Sequence, residues 1–134
     1  MKIKVCLVIF LAASLGLLWQ AYRRAHTLQR TLDFQTASIK SLARSHAHAH
    51  FSHTNASYFI LGLVRRDYVE AFATHFKDYG ITPVATGCKV TEPQQAYSDE
   101  YDRVIRESLT ARHGKDLIRE FDREFDTAWS KRTQ

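Results

Sequence analysis

The apolar stretch VCLVIFLAASLGLLWQAY, residues 5–22, contains eighteen residues and no charged side chain. As an α-helix it spans about 27 Å, close to the ~30 Å hydrocarbon core of a bilayer. Trp19 and Tyr22 stand near its end, where amphipathic aromatic rings prefer the headgroup region. Basic residues flank it at Lys2, Lys4, Arg23 and Arg24. The pattern predicts that residues 1–24 form a transmembrane helix that anchors the rest of the chain to a membrane.

A cleaved secretory signal peptide is the alternative interpretation of the same segment. The best small-residue cleavage site is Ala12-Ala13-Ser14, which leaves an apolar core of about seven residues, the short extreme for a signal peptide. We therefore favour an uncleaved, single-pass anchor. Because the basic start is typical of an export signal, we expect the remaining domain on the extracytoplasmic side, periplasmic or secretory.

Composition excludes two classes of protein for the part after the anchor. Four of the 19 Lys and Arg residues flank the apolar segment, and the remaining 15 are balanced by all 14 Asp and Glu residues. Basic residues are not interleaved with aromatic ones, so nucleic-acid binding is not indicated. Cys6 lies in the apolar segment and Cys88 stands alone, so no disulfide framework is predicted.

Helical periodicity continues beyond the anchor and predicts a helical stalk over residues 25–54. Apolar or neutral residues recur at alternating spacings of 3 and 4, the heptad pattern of a coiled coil. This seam runs through Leu28, Leu32, Gln35, Ile39, Leu42 and His46. We expect a homodimer through residues 25–46; the alternative is a helix that lays this stripe on its own domain.

Residues 55–134 predict a small α+β domain with the order β-α-β-α-α, which has two short strands and three helices. Strands are expected at residues 58–64 and 81–91, joined by a helix whose crossover makes them parallel. Residue pairs Asp67–Glu70 and Thr91–Gln94 match capping boxes at helix starts, and Gly80 and Gly114 match helix ends. The apolar stripes of the helices predict buried aromatic side chains at Phe72, Phe76, Phe121, Phe125 and Trp129.

The segment SHAHAHFSH, residues 45–53, is the strongest candidate for a site. On a helix, His46, His50 and His53 share one face; on an extended segment, His46, His48 and His50 align. Imidazole is a common ligand of zinc, copper and nickel, so His46, His48, His50 and His53 form a candidate site for a divalent metal. The alternative is a polar hinge between stalk and domain.

Two further groups of residues have weaker chemical indications. Cys88 precedes a helix start and is followed by Lys89, the setting of an activated thiol, but a lone cysteine on a strand is more often a small buried apolar residue. Four residues, Tyr97, Tyr101, Asp102 and Arg106, could line a pocket, although helical spacing explains them as the edge of the core.

The sequence therefore predicts a non-enzymatic, membrane-anchored binding, adaptor or assembly module at the cell envelope, with membrane and a protein partner as its expected contacts. A metal-binding membrane protein that uses the four histidines is the first alternative. A thiol enzyme centred on Cys88 is the second.

Overall fold

The computed structural model describes the backbone of residues 2–132 and the side chains of residues 15–132. Contacts divide the chain into two compact units, Met1–Ala37 and Ser38–Gln134, which are described separately. The elements are α1 (Lys2–Ser52), β1 (Ala56–Leu61), α2 (Arg66–Phe76) with a following 3-10 turn (Lys77–Tyr79), β2 (Ile81–Thr86), α3 (Glu92–His113) and α4 (Leu117–Arg132).

The first unit consists of the amino-terminal part of α1. Its described side chains are exposed, and Leu18, Leu28 and Leu32 are 67%, 65% and 54% accessible. Over the residues that the structure describes, no helix is both long and apolar enough to cross a membrane. The side chains of residues 5–14, which supply most of the predicted anchor, lie outside the described residues. The transmembrane helix therefore stays a prediction.

The second unit contains a parallel two-stranded sheet, which confirms the predicted α+β class. Ala56 of β1 lies opposite Ile81 of β2, and the pairing continues to Leu61 opposite Thr86. Both strands are shorter than predicted. β1 ends at Leu61 because Gly62 turns the chain with a φ of 97°, and β2 ends at Thr86 as residues 87–91 lead into α3.

Helix boundaries follow the predicted caps at three places out of four. Thr91 and Gln94 form the predicted capping box of α3, and Gly80 and Gly114 have positive φ angles of 69° and 74° at helix ends. The capping box predicted at Asp67 and Glu70 is wrong. Helix α2 begins at Arg66, two residues before the start that a cap at Asp67 implies, and its N-cap residue Arg65 provides no side-chain cap. Asp67 instead pairs with the guanidinium of Arg65.

An aromatic cluster between α2 and α4 forms the centre of the core. Phe72 and Phe76 are fully buried and Phe121 is 6% exposed, as predicted. The Phe121 ring lies 5.4 Å from that of Phe72 and 5.6 Å from that of Phe76. Phe125 is only partly buried. The predicted burial of Trp129 is wrong: it is 39% exposed and its ring packs against the guanidinium of Arg65.

The carboxyl-terminal part of α1 packs on its own domain beside the predicted dimer seam. Ala43 and Ala47 are fully buried, whereas Leu42 of the seam is 51% exposed. Arg44, between the two alanines, forms an ion pair with Glu100 of α3. The homodimer itself is untested by this packing and stays a prediction.

The sheet has two edges that need protection, because the described part of the chain contributes two strands to it. Ala56 N–H donates to the carbonyl of Gly80 at 3.0 Å, so the backbone N–H groups of the even-numbered residues of β1 point toward β2. The N–H groups of Ser57 and Phe59 consequently point to the outer edge of β1. On β2, Pro83 has no N–H to offer, as is typical of an edge strand.

Helix α3 covers the outer edge of β1 with side chains rather than with another strand. Ser57 N–H donates to the hydroxyl oxygen of Tyr101 at 3.2 Å, and Phe59 N–H donates to the Oδ1 atom of Asp102 at 2.9 Å. Since a buried N–H without a partner costs about 1–3 kcal/mol, these two bonds are important for a sheet of this size.

We expect Phe121→Ala to lower the free energy of unfolding by about 3–5 kcal/mol, since it removes a buried ring from the aromatic cluster. Urea unfolding of the purified chain measures this change. Leu63→Ala is the matched control, because Leu63 is 94% exposed and its loss should be nearly neutral. Equal effects of the two substitutions would contradict the assignment of the core.

Candidate functional site

One face of the sheet is partly open and carries a pocket. Tyr58 and its neighbours on one side of β1 pack against α2, where the Tyr58 and Phe72 rings stack 5.2 Å apart. Phe59 points to the other face, which Thr86 of β2 shares because side chains paired across strands lie on the same side. A pocket of about 260 Å³ on this face is lined by Phe59, Thr86, Lys89, Val90, Gln94, Tyr97 and Ser98.

The position of the pocket is the usual one for ligands in parallel sheets. Thr86 is the last residue of β2, Lys89 and Val90 follow it, and Gln94 lies in the first turn of α3. The pocket therefore lies at the carboxyl ends of the strands, where ligand sites of open α/β sheets occur.

The walls of the pocket are mainly apolar. The rings of Phe59 and Tyr97 meet edge to face with their centroids 6.1 Å apart, and Val90 is half-buried beside them. Burial raises the pKa of the Tyr97 hydroxyl, so this group stays neutral. Ser98 is only 5% exposed, and Lys89 carries the one permanent charge among the described lining residues.

Two histidines of the predicted cluster contact tyrosines of α3. The Nδ1 atom of His46 lies 2.8 Å from the hydroxyl of Tyr97, and the Nδ1 atom of His50 lies 2.9 Å from that of Tyr101. From the first pair to the second, the histidine and the tyrosine each move four residues, about one turn, toward the carboxyl end of their helix. Helices α1 and α3 therefore run in the same direction here. The hydroxyl oxygen of Tyr101 also accepts the Ser57 N–H at 3.2 Å, so this one hydroxyl group contacts both α1 and the edge of β1.

The structure separates the four predicted metal ligands. Residues 45–52 belong to helix α1, and the role of this segment as a hinge stays a prediction. His46 and His50 share one face, with their rings stacked 6.0 Å apart, but His48 lies nearly opposite on the helix and His53 follows its end. Among the described residues no group of three or more potential ligands is assembled. Metal binding by these histidines stays untested.

Glu100 joins α1 to α3 next to the histidines. It is 8% exposed, pairs with the guanidinium of Arg44, and lies 2.7 Å from the Nη2 atom of Arg103. Hydrogen bonds from Arg103 and Arg44 lower the pKa of Glu100 to about 2. Glu100 is therefore ionised throughout the neutral pH range, and its ion pair with Arg44 connects α1 to α3 beside the two His–Tyr contacts.

Asp102 is a partly buried carboxyl group whose pKa lies well above its usual range. Burial raises its pKa to about 8, although the N–H of Phe59 and the charge of Arg106 act in the opposite direction. Arg106 forms an ion pair with Asp116 rather than with Asp102. Its Nε atom lies 3.4 Å from the Asp116 carboxylate, but within the described part of the chain this atom makes no hydrogen bond. Asp102 thus accepts a backbone hydrogen bond at the edge of β1. The sequence had indicated this residue only as one of four that could line a pocket.

Cys88 follows the end of β2 and is exposed, so it is not a buried apolar residue of a strand, and a thiol enzyme centred on it stays a hypothesis. His113 lies at the far end of α3, roughly 30 Å away at 1.5 Å per helical residue. His75 lies near the end of α2, which returns to the start of β2, and its ring packs on Phe121.

Comparison of the chain with protein-family models, with curated proteins and with solved structures finds no significant match. The interpretation of function therefore depends on the geometry of the chain itself.

We expect the stability of the wild-type chain to fall by about 2–4 kcal/mol between pH 5 and pH 8, because one pKa unit corresponds to about 1.4 kcal/mol. The folded state keeps the proton of Asp102 up to about pH 8, whereas the unfolded state releases it near pH 4. Asp102→Asn keeps an oxygen for the Phe59 N–H and removes the titration, so its profile should be flatter.

Urea unfolding at several pH values measures both profiles. Asp78→Asn is the control, since Asp78 is exposed and the substitution makes the same change from a carboxyl group to an amide. A variant Asp102→Asn that retains the wild-type slope would show that another group is responsible.

Proposed function

We propose that the chain is a non-enzymatic, single-pass membrane-anchored binding module that recognises its ligand or partner at the pocket on the open sheet face. The observation that carries this proposal is the pocket itself: an apolar concavity with a few polar groups at the carboxyl ends of parallel strands.

The composition of the lining favours binding over catalysis. Lys89 and Tyr97 are the titratable groups among the described residues that line the pocket. General acid–base chemistry needs two groups whose pKa values are tuned for opposite roles. The tuned carboxyl group, Asp102, instead accepts the N–H of Phe59 at the edge of β1.

Support for the anchor comes from the amino-acid sequence. The charge-free segment of residues 5–22 has the length of a bilayer span, and basic residues follow it at Arg23 and Arg24. A module held at a membrane in this way is suited to an adaptor or assembly role at the cell envelope.

The test is a nuclear magnetic resonance fragment screen of the full chain in lipid nanodiscs. The chain should remain with the nanodiscs during flotation, which checks the anchor. Fragments that bind should shift the backbone signals of Thr86, Lys89 and Val90, and Val90→Glu should abolish those shifts by placing a charge in the apolar wall. Leu63→Glu is the control, because Leu63 is exposed outside the pocket. Fragment shifts that survive Val90→Glu would contradict the proposed site.

A second candidate function, zinc binding, is favoured by the histidine–tyrosine contacts. Metal-ligating histidines commonly use one ring nitrogen for the metal while a hydrogen bond to the other orients the ring. His46 and His50 have their Nδ1 atoms engaged with tyrosines, which leaves their Nε2 atoms for Zn²⁺. Two copies of the chain would supply four imidazoles, the number a tetrahedral site requires. This arrangement agrees with a homodimer through residues 25–46.

We expect Zn²⁺ to raise the fraction of dimer of the full chain in analytical ultracentrifugation, and the double variant His46→Ala/His50→Ala to show no such increase. The matched control is His48→Ala/His53→Ala, which also removes two histidines. Equal loss of zinc-dependent dimer in both double variants would count against a site at His46 and His50.

A further inference from the structure

On the basis of the proposed binding function, we infer that the ligand of the pocket is a small apolar molecule that ends in a carboxylate. Three features of the lining lead to this class of ligand: its size, its aromatic walls and the polarity of the groups at its rim.

The size of the pocket limits the ligand to a small molecule. Its volume of about 260 Å³ is below the roughly 300–1,000 Å³ of sites for drug-sized compounds. A free acid of about ten non-hydrogen atoms fits such a space, whereas a folded partner would reach it only with a single side chain.

The walls favour an apolar and preferably planar body. Phe59 and Tyr97 present aromatic surface, and Val90 adds an aliphatic contact. The Phe59 and Tyr97 rings meet edge to face. An aromatic ring of the ligand can pack on them in the offset or edge-to-face geometries that aromatic pairs prefer.

Three polar side chains of the lining, those of Lys89, Gln94 and Ser98, can donate hydrogen bonds to a ligand. Lys89 contributes an ammonium group, which can only donate. The Oε1 atom of Gln94 already accepts from the N–H and the hydroxyl of Thr91, at 3.0 and 2.9 Å, so the amide of Gln94 offers its two N–H bonds. Ser98 adds a hydroxyl group. A carboxylate accepts up to four hydrogen bonds and carries one negative charge, which matches these donors and the single lysine.

The charge also separates this ligand from others of similar size. A cation would meet Lys89 with like charge. A dianionic phosphate would find one positive side chain and no guanidinium fork among the described lining residues, whereas a monoanionic carboxylate needs one lysine only.

The experiment is isothermal titration calorimetry of the full chain in nanodiscs with two isosteric probes, 3-phenylpropanoate and 3-phenylpropanamide, corrected with empty nanodiscs. The acid should bind at least about tenfold more tightly than the amide, the size of effect expected for hydrogen bonds to a charged group. Lys89→Met should abolish the difference. Lys77→Met, which removes the same charge from an exposed position outside the pocket, should retain it.

Equal affinity of the wild-type chain for acid and amide would overturn the carboxylate while leaving the pocket as a binding site. A preference for the acid that persists in Lys89→Met would also overturn it, since the charge would then be recognised elsewhere. If neither probe binds and the fragment screen finds no ligand at Val90, the pocket fails as a recognition site and the carboxylate fails with it.

Discussion

The unpaired N–H groups on the outer edge of β1 are the constraint on which the second unit depends. A two-stranded sheet is marginal in water and exposes backbone donors on both sides. Tyr101 and Asp102 of α3 accept hydrogen bonds from the N–H groups of Ser57 and Phe59. These side chains replace the hydrogen bonds that a third strand would form at this edge. To reach the backbone, the carboxyl group of Asp102 must be buried, and this burial is the cause of its raised pKa. The stability of the β1 edge and the protonation of Asp102 are therefore coupled, because both depend on the position of the same carboxyl group.

The position of α3 at the edge also explains the pocket. A helix packed over the middle of a sheet covers its face, but α3 lies along β1 and leaves the part next to β2 accessible. Thr86, Lys89 and Val90 then border a concavity whose far wall is Tyr97. The open face is therefore a consequence of how the sheet edge is satisfied, and the apolar lining remains available to a ligand.

The histidines obtain their surroundings from the same helix. Tyr97 and Tyr101 are spaced by one turn, as are His46 and His50, so parallel helices bring them together in two equivalent pairs. Ala43 and Ala47 on the same part of α1 are buried, and Glu100 adds a charged contact to Arg44. Tyr97 belongs both to a His–Tyr pair and to the pocket wall, which links the candidate metal ligands to the candidate ligand site.

The sequence by itself determined the elements whose causes are local. Periodicity predicted the order of helices and strands, and the end signals at Gly80, Thr91 and Gly114 were correct because caps depend on residues within one turn. It also predicted that His46 and His50 share a helix face. The tertiary structure alone decided what those groups meet: His46 and Tyr97 are 51 positions apart, and Phe59 and Asp102 are 43 apart. Spacing along a chain carries no information about such pairs. Trp129 shows the same limit, since an apolar stripe predicts which face of a helix packs but not that the guanidinium of Arg65 lies over this ring and that the residue is 39% exposed.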